Sequence, residues 1–203
     1  MIACLALACL AAVERQTADY FPLQAGLKWE YDVVADTGLV AVRQVLVCDE
    51  PVTIRGVEAI PMRSLLDGKT SQISYYAKTD NYYVIVAIGD PTPLAKPIPV
   101  LPVEPRSAEK WEYDGGVPVL TELTPYSFKA RVEGFETLDV LGQNVRCVKL
   151  RVEATTGKEV APMQTISQEW YAPGIGLVKR IQQTKGKNPV KVTTLLVSFE
   201  KPQ

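Results

Sequence analysis

The sequence predicts an all-β protein: an antiparallel curved sheet or open barrel built from two sequence-related halves, with little helix after an N-terminal apolar segment. Three observations predict it. Segments beyond residue 16 alternate apolar and polar side chains, and turn residues or prolines interrupt them every 8 to 15 residues. A pentapeptide, Lys28-Trp29-Glu30-Tyr31-Asp32, also returns unchanged as Lys110-Trp111-Glu112-Tyr113-Asp114.

In chain order, residues 1–13 (MIACLALACLAAV) come first as an apolar run. It is shorter than the roughly 20 helical residues that span a bilayer, and has the length of a signal-peptide core. Ala6-Leu7-Ala8 gives a small-x-small cleavage pattern, and Cys9 behind it is a candidate for lipidation. The other reading of this stretch is a buried N-terminal helix. Residues 1–16 are thus taken as a signal-like segment and linker, and 17–203 as one β domain.

In the first repeat copy, a strand places Trp29, Tyr31 and Val33 on one face and Glu30 and Asp32 on the other. Asp67-Gly68 marks a turn, and Tyr82 to Ile88, which lacks polar alternation, predicts a more central strand. Residues 91–105 hold six prolines in 15 positions. Proline cannot donate into a ladder and favours extended geometry, so this stretch reads as a stiff strap joining the halves, or as a docking ligand for an aromatic groove. The halves run from about 20 to 90 and from about 106 to 200. In the second, Gly115-Gly116, Thr156-Gly157 and the stretch from Lys185-Gly186 to Asn188-Pro189 read as turns. Phe128 to Glu133, Val148 to Ala154 and Val190 to Val197 read as strands.

Further matches keep the same order in both halves. Arg55-Gly56-Val57 parallels Leu141-Gly142-Gln143, and Ser74-Tyr75-Tyr76-Ala77 parallels Glu169-Trp170-Tyr171-Ala172. Neither half would bury its apolar face alone, so the two pair into one core. Trp29, Tyr31, Trp111, Tyr113, Trp170 and Tyr171 are its expected anchors.

Composition narrows the chemistry. There are 22 basic and 23 acidic residues, which gives no electrostatic reason to expect nucleic acid. There is no histidine, which excludes Ser-His-Asp and Cys-His nucleophiles and HExxH zinc sites. Cys48 and Cys147 read either as a disulfide closing a long loop or as two buried thiols. No cofactor or metal set is expected. Glu30 with Asp32, and Glu112 with Asp114, are the only paired carboxylates that invite a hydrolase reading, and on a solvated strand face they would simply ionise. No serine sits in a G-x-S-x-G elbow, and Gly174-Ile175-Gly176 is a turn rather than a phosphate loop.

Asp19-Tyr20-Phe21-Pro22-Leu23 with Gly26, Trp29 and Tyr31, and Glu169-Trp170-Tyr171-Ala172-Pro173-Gly174-Ile175-Gly176-Leu177-Val178-Lys179, resemble the opening and the closing hairpin of the TapB-like family of exported bacterial proteins and lipoproteins. The resemblance implies a curved antiparallel sheet or open barrel outside the cytoplasmic membrane, and carries over no catalytic residue. In the second copy of the opening, Ser107 or Ala108 stands near the place of the glycine.

The functional expectation is a non-enzymatic cell-envelope or secreted module with a structural or protein-interaction role. Its partner would be an unknown envelope protein, and its contact with a membrane only a lipid anchor at Cys9. The alternative is a carrier holding an apolar ligand or lipid in the concavity between the halves, with a carboxylate hydrolase third.

Overall fold

The alternating segments become strands in a computed structural model that describes residues 18–36, 42–119, 122–158 and 162–202. The apolar segment and Cys9 lie outside the described residues. The strands are β1 (Lys28–Ala35), β2 (Val42–Cys48), β3 (Val52–Ile54), β4 (Val57–Leu66), β5 (Lys69–Lys78), β6 (Tyr82–Ile88) and β7 (Pro93–Pro102) in the first half. The second half supplies β8 (Lys110–Val119), β9 (Glu122–Val140), β10 (Gln143–Thr156), β11 (Met163–Ala172), β12 (Gly176–Thr184) and β13 (Lys191–Glu200). There is no helix among the described residues.

Twelve strands form one antiparallel path, β7-β6-β5-β4-β2-β1-β13-β12-β11-β10-β9-β8, with β3 paired only to β4. The ends of this path meet. The Tyr113 hydroxyl donates to the Lys96 carbonyl at 3.5 Å, and Lys96 Nζ donates to the Asp114 carbonyl at 3.3 Å, tying β8 to β7. The architecture is a nearly closed barrel, as the alternation and the turns predict.

Each half supplies a six-strand meander, and the two meet through the β1–β13 ladder. The matched sequences fall on strands in equal positions: the pentapeptides on β1 and β8, the glycine turns before β4 and β10, the aromatic pairs on β5 and β11. Backbone detail follows suit. Arg55 and Gly56 have φ of 49° and 80°, and Leu141 and Gly142 have 52° and 82°.

The opening turn of the second copy is as tight as that of the first. Ala108 takes φ 65° where Gly26 takes 81°. Gly26 N–H donates to the Cys48 carbonyl at 2.9 Å, and Ala108 N–H donates to the Val132 carbonyl at 3.1 Å. An L-residue with a Cβ is strained in this left-handed region by about 1–2 kcal/mol. Ala108→Gly is therefore expected to stabilise the fold by about 0.5–1 kcal/mol after the added freedom of the unfolded chain is subtracted. Urea unfolding of the single variant checks this, and a loss of stability would refute it.

Two local expectations are corrected. The proline-rich stretch is more than a strap, since Pro93–Pro102 forms β7 and pairs with β6. Pro97 and Pro99 lie two apart and offer no N–H, so β7 has an edge that donates poorly, and the β7–β8 seam carries no ladder. Gly115-Gly116 is not a turn but continues β8. A Cβ on Gly115 would come within 2.5 Å of the Tyr113 hydroxyl, so glycine is required by close approach rather than by bending.

Core residues occupy two layers. Inside the barrel, Tyr83, Leu101, Trp111, Tyr113, Phe128, Val132, Val148, Leu150 and Tyr171 form one cluster. Outside it, hairpins fold back over the wall. Ile54 and Ala59 of β3–β4 pack with Tyr75, Ala77, Val84 and Val86. Val140 and Cys147 of β9–β10 pack with Trp170 and Val178 in a cluster that runs on to Trp29, Tyr31 and Met62 inside the barrel. All six expected anchors are buried, but Trp170 and Tyr171 take opposite faces. Tyr171 enters the lumen, while Trp170 lies between Lys149 and Lys179, with Nε1 donating to Glu136 Oε2 at 2.8 Å. Cys48 and Cys147 are free, buried thiols, so of the two readings the structure shows the thiol one. Burial pushes Cys48 up to about 12 and Cys147 up to about 11, which leaves both protonated at neutral pH.

Candidate functional site: a chamber inside the barrel

The paired carboxylates do not make a site. Glu30 and Asp32 lie on the outer face of β1, where Lys28 Nζ reaches Glu30 at 2.9 Å and Arg43 reaches Asp32 at 3.1 Å. The Lys28 hydrogen bond holds the Glu30 carboxyl below its usual range. Glu112 and Asp114 are exposed on β8, six places away around a twelve-strand ring. The two pairs therefore never converge on one substrate bond. Among the described residues no group of three or more His, Cys, Asp or Glu side chains could hold a metal ion.

The interior carries the chemistry. Strand alternation places Ser167, Glu169 and Tyr171 of β11 on the lumen face, and Arg180 of β12 beside them. The buried Glu169 carboxylate accepts from Tyr171 Oη at 2.7 Å and from Ser167 Oγ at 3.1 Å. Arg180 Nε lies 2.9 Å from Glu169 Oε1. Glu169 holds the guanidinium above its already high range. Burial, reinforced by Glu169, holds the Tyr171 phenol well above 10.0, so it remains a donor.

These groups adjoin a cavity of about 250 Å³ lined by Phe21, Trp29, Tyr31, Tyr76, Leu46, Met62 and Leu177 on its apolar sides and by Gln44, Ser64, Gln72, Ser74, Thr194 and Arg180 on its polar ones. Burial pushes Tyr76 up to about 12 and Tyr31 higher still. Tyr31 Oη donates to the Leu177 carbonyl at 2.9 Å and Trp29 Nε1 donates to the Ile175 carbonyl at 2.6 Å, fixing the wall between β1 and β12.

One end of the chamber is stoppered by the chain itself. The segment before β1 crosses the barrel end, where Gly174 N–H donates to the Asp19 carbonyl at 2.6 Å and Tyr83 Oη donates to Asp19 Oδ1 at 2.7 Å. This sets the Phe21 ring 5.2 Å from Tyr76, 5.4 Å from Tyr83 and 6.2 Å from Tyr171, centroid to centroid. Phe21 is thus a lumen residue, held by an aromatic cluster. At the opposite end a wider cavity of about 650 Å³, lined by Ile85, Ile88, Val117 and Tyr126, shares the Gln72 wall with the chamber.

Sequence reasoning anticipated the aromatic walls but not Glu169, Arg180, Phe21 or Tyr76 as site residues. Glu169 sat inside a motif read as structural. Its one signal was spacing: Ser167, Glu169 and Tyr171 are two apart, a polar row on one strand face.

No known protein family matches the chain, and no curated protein matches it significantly. Solved structures do. A protein from Bacteroides fragilis, provisionally classed as exported and described with a YmcC-like fold, superposes with a TM-score of 0.51 at 16% identity, over 91% of this chain and 100% of its own. A protein from Parabacteroides distasonis, provisionally classed as a lipoprotein, gives 0.51 at 13% identity, over 92% and 100%. The hypothetical lipoprotein YmcC of Escherichia coli gives 0.39 at 14% identity, over 89% and 87%. At such identities the likeness speaks for the fold alone, and the barrel of this chain shares the fold of the Bacteroides and Parabacteroides proteins.

Proposed function

We propose that this chain is a non-enzymatic module of an exported protein or lipoprotein that works by holding a small ligand inside its barrel. One observation carries the reading: the lumen encloses a chamber with a charged group on its wall, where a purely structural barrel would be filled by its own side chains. An exported setting is supported by the apolar N-terminal run, the TapB-like resemblance and the classing of the fold neighbours. The mixed lining changes the expected cargo from a purely apolar molecule to an amphiphilic one.

A second reading, a protein-interaction module, is favoured by apolar side chains at the wide end of the barrel. Val119, Leu123 and Met163 are 46%, 71% and 53% exposed there. Native mass spectrometry on protein purified without detergent from an exporting host separates the two. A mass excess lost on denaturation supports the ligand reading. A bare chain mass, together with binding of a second protein that is abolished by Leu123→Lys, favours the interaction reading.

A further inference from the structure

Among the described residues Arg180 is the single charged one on the chamber wall, since its counter-charge Glu169 stands behind it and does not line the cavity. Glu169 is fully engaged by Tyr171, Ser167 and the Arg180 Nε approach. The guanidinium is not. Its Nε is buried without an aligned hydrogen bond, although the side chain as a whole is 37% accessible. That accessible surface therefore belongs to other atoms of a side chain surrounded by the barrel, and it faces the chamber. A planar fork of N–H donors with one carboxylate behind it and empty volume ahead is an oxyanion receptor.

Size and charge narrow the ligand. A volume of about 250 Å³ equals the space of about eight water molecules, so the occupant is small. One cation already partly offset by Glu169 suits a single negative charge better than the two of a phosphate ester. The flanking Phe21, Tyr76 and Leu46 present an apolar surface beside a polar row of Gln44, Ser64, Gln72 and Ser74 on strands β2, β4 and β5. We infer that the chamber binds a small organic monocarboxylate, with its carboxylate on Arg180 and its apolar body against Phe21, Tyr76 and Leu46. This rests on the ligand-holding reading above and assigns that ligand its chemical class. The wide cavity at the open end shares the Gln72 wall with the chamber and lies on the side from which a ligand would enter.

The test is calorimetric titration of the detergent-free chain with 3-phenylpropionate, its neutral amide 3-phenylpropanamide, and phenyl phosphate. The acid is expected to bind at least about tenfold more tightly than the amide, and more tightly than the phosphate. Arg180→Met alone leaves Glu169 unpaired and endangers folding, so it is combined with Glu169→Gln, which keeps an acceptor for Tyr171 and Ser167. This double variant is expected to lose the preference for the acid while Arg180→Lys retains part of it. Equal binding of acid and amide, tighter binding of the phosphate, or an acid preference that survives the double variant would each overturn the assignment. If none of the three probes binds while a native mass excess persists, the assignment falls and the ligand-holding reading stands. If the excess is absent as well, both fall.

Discussion

Trp29→Ala is expected to cost about 3–5 kcal/mol of stability, among the largest losses any single truncation in this chain would cause. The indole is 3% exposed, stacks on Phe199 at 5.6 Å, and spends its N–H on the Ile175 carbonyl. Removing it opens a cavity at the β1–β13 ladder and frees a carbonyl in the turn that receives the Asp19 segment. Its counterpart is not equivalent. Trp111 is also buried and lies 6.2 Å from Tyr82, but its Nε1 has no partner. Phenylalanine in its place removes an unsatisfied donor, which is nearly neutral or stabilising, whereas Trp29→Phe forfeits a made hydrogen bond worth about 1 kcal/mol. Chemical denaturation of the three variants checks the contrast. Equal costs for Trp29→Phe and Trp111→Phe would contradict it.

Arg180→Met is expected to destabilise by about 3–5 kcal/mol, because it leaves the buried Glu169 carboxylate without its cation. The hydrogen bonds from Tyr171 and Ser167 remain but supply no charge. The same substitution made with Glu169→Gln is expected to cost much less than the sum of the two single changes, because no uncompensated ion is left. A double-mutant cycle measures the coupling, and additivity of the two changes would show that the pair does not interact.

Much of the barrel was legible in the sequence, because period-two alternation reports directly on a wall with one face in a core. Val148, Leu150 and Val152 against Lys149, Arg151 and Glu153 gave β10 without ambiguity. The matched stretches fall on β1 and β8, before β4 and β10, and on β5 and β11, whereas the left-handed turn at Ala108 was not legible from its residue type. Composition misled at residues 93–102, where proline density suggested a strap and the chain forms an edge strand. Proline forbids donation but not extension, and a strand that needs donors on one side only can carry it. The luminal ion pair was hidden for a different reason. Around residues 169–172 every side chain is buried, because the outer face of β11 is covered as well as its luminal face. With both faces buried, the period-two row of Ser167, Glu169 and Tyr171 persists but hydrophobicity no longer indicates which of the two faces points inward.

The unladdered seam gives this ring an uneven circumference. Everywhere else, widening the barrel breaks rows of backbone hydrogen bonds, including the β1–β13 clasp with its eight paired positions. Between β7 and β8 no backbone ladder has to break, and the seam is held by the Lys96 bonds to the Tyr113 hydroxyl and the Asp114 carbonyl and by the shared cluster of Ile98, Leu101, Trp111 and Tyr113. Radial strain therefore concentrates in one slot, and the wall can yield there while its remaining ladders stay intact. Four prolines along Pro93–Pro102 leave that slot open to parting, since each removes a backbone donor with which the neighbour could zip it shut.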